Sequence, residues 1–205
     1  MKKLTLIIAG ILTMSFAQAQ EISERQTSAF EASYTAEAAK DYDKAISLLK
    51  APGIYNERLY EINLRLGWLY YEKKDYSNSE VYYKVASIDN PGSIEALLGF
   101  IYPTSAVENW AAVFETYQKI LTIDPNHSLV NYRIALMYFY RKDYTNTEKH
   151  LKKVLDHYPF DFDCLLLMAQ TKVASGKIFE AKTYYQRAQL YSPTNEEIKK
   201  ALGKL

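Results

Sequence analysis

The chain has 205 residues, with 25 Lys and Arg against 24 Asp and Glu and a formal net charge of +1. So even a balance, with no run of basic residues, leaves no field to gather nucleic acid or an anionic membrane. Its one cysteine, Cys164, excludes an internal disulfide, so stability rests on packing, for which a hydrophobic content of 48% supplies a continuous core.

The N-terminus has the pattern of a leader. Lys2 and Lys3 make a basic start, and Leu4 to Phe16 is apolar. That run is shorter than the ~18 residues of a membrane span. Ala17-Gln18-Ala19 is a small-x-small cleavage site, so a signal peptide is expected over 1–19 and a mature chain from Gln20. The alternative is retention as an anchor. Losing two lysines takes the basic count from 25 to 23 against 24 acids. The expected location is the periplasm or outside the cell, with no stable membrane insertion after cleavage.

Beyond the leader the chain is periodic. Pro91, Pro125, Pro159 and Pro193 stand 34 residues apart, and so do Tyr42, Tyr76, Trp110, Tyr144 and Ile178. A sustained period of this length means stacked copies of one unit. Five units fit: 26–59, 60–93, 94–127, 128–161 and 162–195. Each reads as helix, tight turn, helix.

In unit 60–93, Leu66, Gly67 and Tyr70 share one face of a first helix, and Gly67 lets the neighbouring helix approach. Lys74-Asp75-Tyr76 is the turn, with Asp75 as cap. Ser79, Tyr83 and Ala86 share a face of the second helix, which Pro91 ends. The other second-helix faces are Ala45/Leu49, Val113/Tyr117/Ile120, Thr147/Leu151/Val154 and Ala181/Tyr185/Ala188. Three units depart from the pattern. The first has Ser33 at the glycine position, and Pro52-Gly53 stops its second helix early. The third has Pro103 where its first helix should continue, which predicts a kink or a short helix. The fifth has Lys172 in place of the first-helix tyrosine. After Pro193, a capping box from Thr194 to Glu197 opens a last helix, whose Ile198, Ala201, Leu202 and Leu205 cover the final unit.

The Leu66-Gly67…Tyr70, Tyr83, Ala86 and Pro91 pattern resembles the tetratricopeptide repeat family, and the resemblance covers nearly all of the mature chain. It implies an all-α solenoid, a right-handed superhelix of about five helix pairs. It also implies protein binding rather than catalysis. In that family the fifth, ninth and twelfth positions of each first helix line the concave face. Here they include Tyr34, Trp68, Tyr71, Tyr102, Tyr132, Leu136 and Phe139. Tyr34, Trp68, Tyr71, Tyr102, Tyr132 and Phe139 are therefore candidate anchors in an aromatic groove for a protein or peptide. The competing reading is that these rings pack on one another, since a bare aromatic stripe is a solubility liability.

Some members of the family clamp a C-terminal carboxylate with lysine, asparagine and arginine. Arg65 and Arg133 sit at the sixth positions of their units, but the asparagine is missing, so that role is not carried over. The arginines either orient an acidic partner or are solvated charges paired with Glu61 or nearby acids. The segment Tyr102-Pro103-Thr104-Ser105 either offers freed backbone groups to a partner or is a tolerated irregularity.

No catalytic set emerges. His127, His150 and His157 read as solvated helix-end residues, because nothing completes a metal site around them. Cys164, followed by Leu165, Leu166 and Leu167, reads as a buried filler rather than a reactive thiol. Ser175-Gly176-Lys177 lacks the upstream glycine of a phosphate loop. No cofactor or metal is expected. The rival to a groove-binding adaptor is a structural component of an envelope or secretion assembly. It would pack through its convex second helices and be sensitive at Tyr82 and Tyr184. A regulatory subunit of a cell-wall enzyme is a further possibility.

Overall fold

A computed structural model describes residues 23–55 and 59–205. The leader read over 1–19 lies outside the described residues. Within them the chain forms eleven helices and no strand. They pair as α1 (Glu24–Ala38) with α2 (Tyr42–Leu49), α3 (Tyr60–Glu72) with α4 (Tyr76–Asp89), and α5 (Ile94–Ala106) with α6 (Trp110–Ile123). Then come α7 (Ser128–Tyr140) with α8 (Tyr144–His157), α9 (Phe162–Ala174) with α10 (Ile178–Tyr191), and a final α11 (Glu196–Leu202). The result is an α-solenoid. No helix among the described residues is long and apolar enough to cross a membrane.

One turn, used five times, builds each pair. Lys40, Lys74, Glu108, Lys142 and Gly176, again 34 apart, all have φ between 58° and 76°. This left-handed residue closes a Schellman motif. In the second pair the Lys74 N–H donates to the Tyr71 carbonyl at 2.8 Å, and the Asp75 N–H donates to Tyr70 at 2.9 Å. The other four turns make the same two bonds. The next residue caps the second helix: Asp41, Asp75, Asn109 and Asp143 each accept a backbone N–H from three residues on. Between pairs, Asn90, Asp124, Tyr158 and Ser192 end a helix just before each periodic proline, and Ser93, His127, Asp161 and Asn195 cap the next.

Every second-helix face named from spacing is buried: Ala45/Leu49, Ser79/Tyr83/Ala86, Val113/Tyr117/Ile120, Thr147/Leu151/Val154 and Ala181/Tyr185/Ala188. The Tyr83 ring lies against two glycines. A methyl at Gly67 would stand 2.8 Å from it, and one at Gly99 only 2.2 Å. First helices of successive repeats touch, α3 with α5 and α7 with α9, and among the described residues no comparable contact joins second helices. The first helices therefore form the inner, concave side.

Several expectations need correction. Pro103 does not shorten its helix: α5 runs 13 residues, as α3, α7 and α9 do. The proline sits in the last turn, and the Thr104 and Ser105 hydroxyls donate to the Phe100 and Ile101 carbonyls, both at 2.6 Å. Pro103 and Thr104 are buried, and the Ser105 hydroxyl also donates to the Tyr102 carbonyl at 3.0 Å. The last helix is capped by Asn195 rather than Thr194, at 3.1 Å to the Ile198 N–H. His150 is no solvated helix-end residue. It is half-buried, stacks on Tyr138 at 5.7 Å and bonds Asn131 Oδ1 at 2.9 Å. Burial, then Lys153 and Lys149, lowers its pKa. His127 accepts the Val130 N–H as a cap, and His157 is exposed. Lys172 keeps its place in the fold by ion pairing: 6% exposed, it bonds Glu148 and Glu180, both at 2.6 Å. Cys164 is buried as expected, and burial, then Asp161, pushes its thiol pKa well up.

Candidate functional site

The concave face divides into three zones; Tyr34, Trp68, Tyr71 and Tyr102 of the six predicted anchors fall within them, and Tyr132 and Phe139 lie outside all three. At the first junction, α3 meets α1. Arg65 is 7% exposed and pairs with Glu37 at 2.5 Å. Its Nε donates to the Ser33 hydroxyl at 3.3 Å, and its guanidinium lies 3.8 Å from the centre of the Tyr34 ring. The Trp68 indole N–H donates to the other Glu37 oxygen at 2.6 Å. Glu37 thus seals this junction. Arg65 is buried rather than solvated, and the nearby acid it pairs with is Glu37, not Glu61, so it is not available to a partner.

In the second zone Trp68, Tyr71 and Tyr102 form one ring cluster. Trp68 lies 5.7 Å from Tyr71 and 6.0 Å from Tyr102, and Tyr71 lies 5.4 Å from Tyr102. These rings pack on one another, yet Tyr102 stays 49% exposed. Tyr132 and Phe139 do not join them. They pack with Leu136 against the core of the last two repeats. Burial, then Asp163, raises the Tyr132 phenol pKa.

The third zone was not anticipated. A cleft of about 860 Å³ opens between α5, α6 and α7. Leu98, Ile101 and Tyr102 form one wall, Leu129, Leu136 and Tyr140 the other, and Trp110, Val113 and Tyr117 of α6 the floor. Arg133 and Arg141 also line it, and among the described residues no carboxylate does. Burial raises the Tyr117 phenol pKa, and the Arg133 guanidinium opposes that rise.

Two exchanges in the repeat explain the opening. In the second and fourth pairs an aromatic residue covers the first ring of the second helix: Tyr71 lies 5.9 Å from Tyr76, and Phe139 lies 6.1 Å from Tyr144. The same position in the third pair is Ser105, whose hydroxyl bonds back to its own helix. Trp110 is left uncovered, at 52% exposure. The eighth position is small elsewhere, as Ser33, Gly67, Ala135 and Ala169, but Ile101 here, and its branched side chain bars close approach of the second helix. The α6–α7 junction is the sparsest between successive repeats. Aligning the five units by their period exposes both exchanges, so this signal was present in the sequence.

Tyr82 does not mark an exposed convex face: it is buried and stacks on Tyr70 at 5.2 Å. Among the described residues no group of three His, Cys, Asp or Glu side chains is placed to hold a metal ion.

Two family models, both described as tetratricopeptide repeat, match residues 60–86 and 138–205. Together with the five-fold turn and the solenoid, they mark the repeating unit. The chain carries tetratricopeptide repeats. Solved structures share the fold. A tetratricopeptide repeat protein from Parabacteroides merdae ATCC 43184 is 17% identical with a TM-score of 0.73, over 89% of this chain and 72% of that one. A crystal structure of MamA protein is 17% identical with a TM-score of 0.67, over 85% and 95%. MamA 41-end from Desulfovibrio magneticus RS-1 is 11% identical with a TM-score of 0.68, over 86% and 99%. No curated protein matches the sequence. Tetratricopeptide repeats mediate protein–protein interaction, and a scaffold that binds protein is the coarse function of this chain.

Proposed function

We propose that the chain is an exported scaffold that takes a partner polypeptide on its concave face. The binding surface runs from Trp68 and Tyr71 across Tyr102 into the cleft floored by Trp110. One observation carries this reading: Tyr102 belongs both to the ring cluster and to the cleft wall, so packed aromatics and open apolar volume are continuous. Rigid aromatic side chains beside a concave apolar pocket are the usual composition of binding hot spots. Export rests on the Lys2-Lys3 start, the apolar run and Ala17-Gln18-Ala19.

The sequence anchors change in weight. Tyr34 and Trp68 hold the first junction through Arg65 and Glu37, and Tyr132 and Phe139 serve the core. Trp68→Glu is a poor test, because it sets a second carboxylate beside Glu37. Tyr102→Ser is a better one, since that ring is half exposed. Affinity capture from envelope extract with the wild type should retain a partner that Tyr102→Ser loses, by about tenfold or more in affinity, with helicity unchanged by circular dichroism.

One observation favours a second reading. Ile88 and Leu190 occupy the same position of the outer second helices, and both are exposed. A partner held by Tyr102→Ser but lost by Leu190→Ser would place the interface there and make the chain a structural component packed through its convex side.

A further inference from the structure

The first and third junctions are built from corresponding positions two repeats apart. Tyr34 corresponds to Tyr102, Arg65 to Arg133 and Trp68 to Leu136. Glu37, which pairs with Arg65 and accepts from Trp68, corresponds to Ser105. The third junction therefore keeps the arginine and the tyrosine but lacks the carboxylate that closes the first. Its serine hydroxyl is turned to the Ile101 and Tyr102 carbonyls, at 2.6 and 3.0 Å. Among the described residues Arg133 and Arg141 make no ion pair, and they are the only charged residues lining an otherwise largely apolar cleft.

We infer that the cleft between α5, α6 and α7 binds an apolar segment of a partner protein through an Asp or Glu side chain that takes the place Glu37 holds at the first junction. The partner carboxylate pairs with Arg133, with Arg141 at the rim, and flanking apolar side chains cover Trp110, Ile101 and Leu129. A carboxylate against a guanidinium makes a charge-assisted bond, stronger than a neutral one and selective against a basic partner. The inference deepens the concave-face reading and rests on it.

The test is a selection of displayed random dodecapeptides, fused at their C-termini so that no free terminal carboxylate is offered, on the purified chain and three variants. The wild type should enrich Asp or Glu flanked by large apolar residues. A synthetic copy of an enriched peptide, amidated at its C-terminus, should bind about tenfold or more tightly than its Glu→Gln or Asp→Asn counterpart. Ser105→Glu restores the missing carboxylate within the chain. It should raise the melting temperature and abolish this binding, and that gain shows the variant is folded. Arg133→Glu should shift the enrichment to Lys and Arg. Enrichment without acidic bias, or Ser105→Glu binding as the wild type does, overturns the inference. If such peptides are nonetheless lost by Tyr102→Ser, concave-face binding stands without it. Enrichment indifferent to Tyr102→Ser, or no enrichment at all, overturns both.

Discussion

At the scale of single residues, the turn between paired helices carries strain that its sequence does not advertise. Lys40, Lys74, Glu108 and Lys142 adopt φ near 60°, a region that costs a residue with a Cβ about 1 kcal/mol or more. The fifth turn uses Gly176 there, with φ 76°. Replacing Lys74 or Lys142 by glycine should therefore stabilise the chain by up to about 1 kcal/mol, less the entropy glycine loses on folding. Urea denaturation of the two variants measures it, and destabilisation in both would refute the strain. Lys172 shows another local solution. The cation that replaces a framework tyrosine is sealed by Glu148 and Glu180. Burial opposes ionisation of Glu148, but hydrogen bonds from Lys172 and Lys177 win and its pKa is lowered. The stability it contributes is complete above the unfolded carboxylate range and is lost as pH falls through the depressed folded value.

At the scale of elements, close approach is set by small residues placed against large ones. The Tyr83 ring of α4 lies between Gly67 of α3 and Gly99 of α5, so it has nowhere to retreat. Gly99→Ala should destabilise by about 1–3 kcal/mol, as overpacking does. In a Tyr83→Ala background the same substitution should become neutral or stabilising by up to about 1 kcal/mol, the helix propensity of alanine over glycine. Equal effects in the two backgrounds, read by thermal unfolding, would show that the ring is not the obstacle. Gly67 was legible from the repeat because it falls at the small position of its unit. Gly99 was not, because it stands two residues from that position, where spacing assigns it no role. Pro103 shows the converse. Its place in the repeat argued for a kinked or shortened helix, but it falls in the last turn of a full-length one, where the Thr104 and Ser105 hydroxyls donate to the Phe100 and Ile101 carbonyls.

At the scale of the whole molecule, stability of a solenoid is a sum of units and nearest-neighbour junctions. The α6–α7 junction is the sparsest between repeats and holds the open cleft. Amide hydrogen exchange should thus show two levels of protection, one for α1–α6 and one for α7–α11, with the step at Asp124–His127. Uniform protection across that loop would mean the cleft does not weaken coupling.

The period was decided by residues 34 apart, and the paired helices, their buried faces and the closing helix by residues three, four or seven apart, because helical faces and turns are local. The partners of the concave rings were not. Glu37 reaches Arg65 and Trp68 across 28 and 31 positions, and an isolated stripe of Tyr and Trp does not say which ring meets an acid, which meets another ring and which meets water. Only stacking of the repeats shows that the first junction closes on its own carboxylate while the third stays open. The physical reason is that adjacent first helices touch through side chains about one repeat apart, so a single exchange such as Glu37 for Ser105 changes an interface without disturbing either helix.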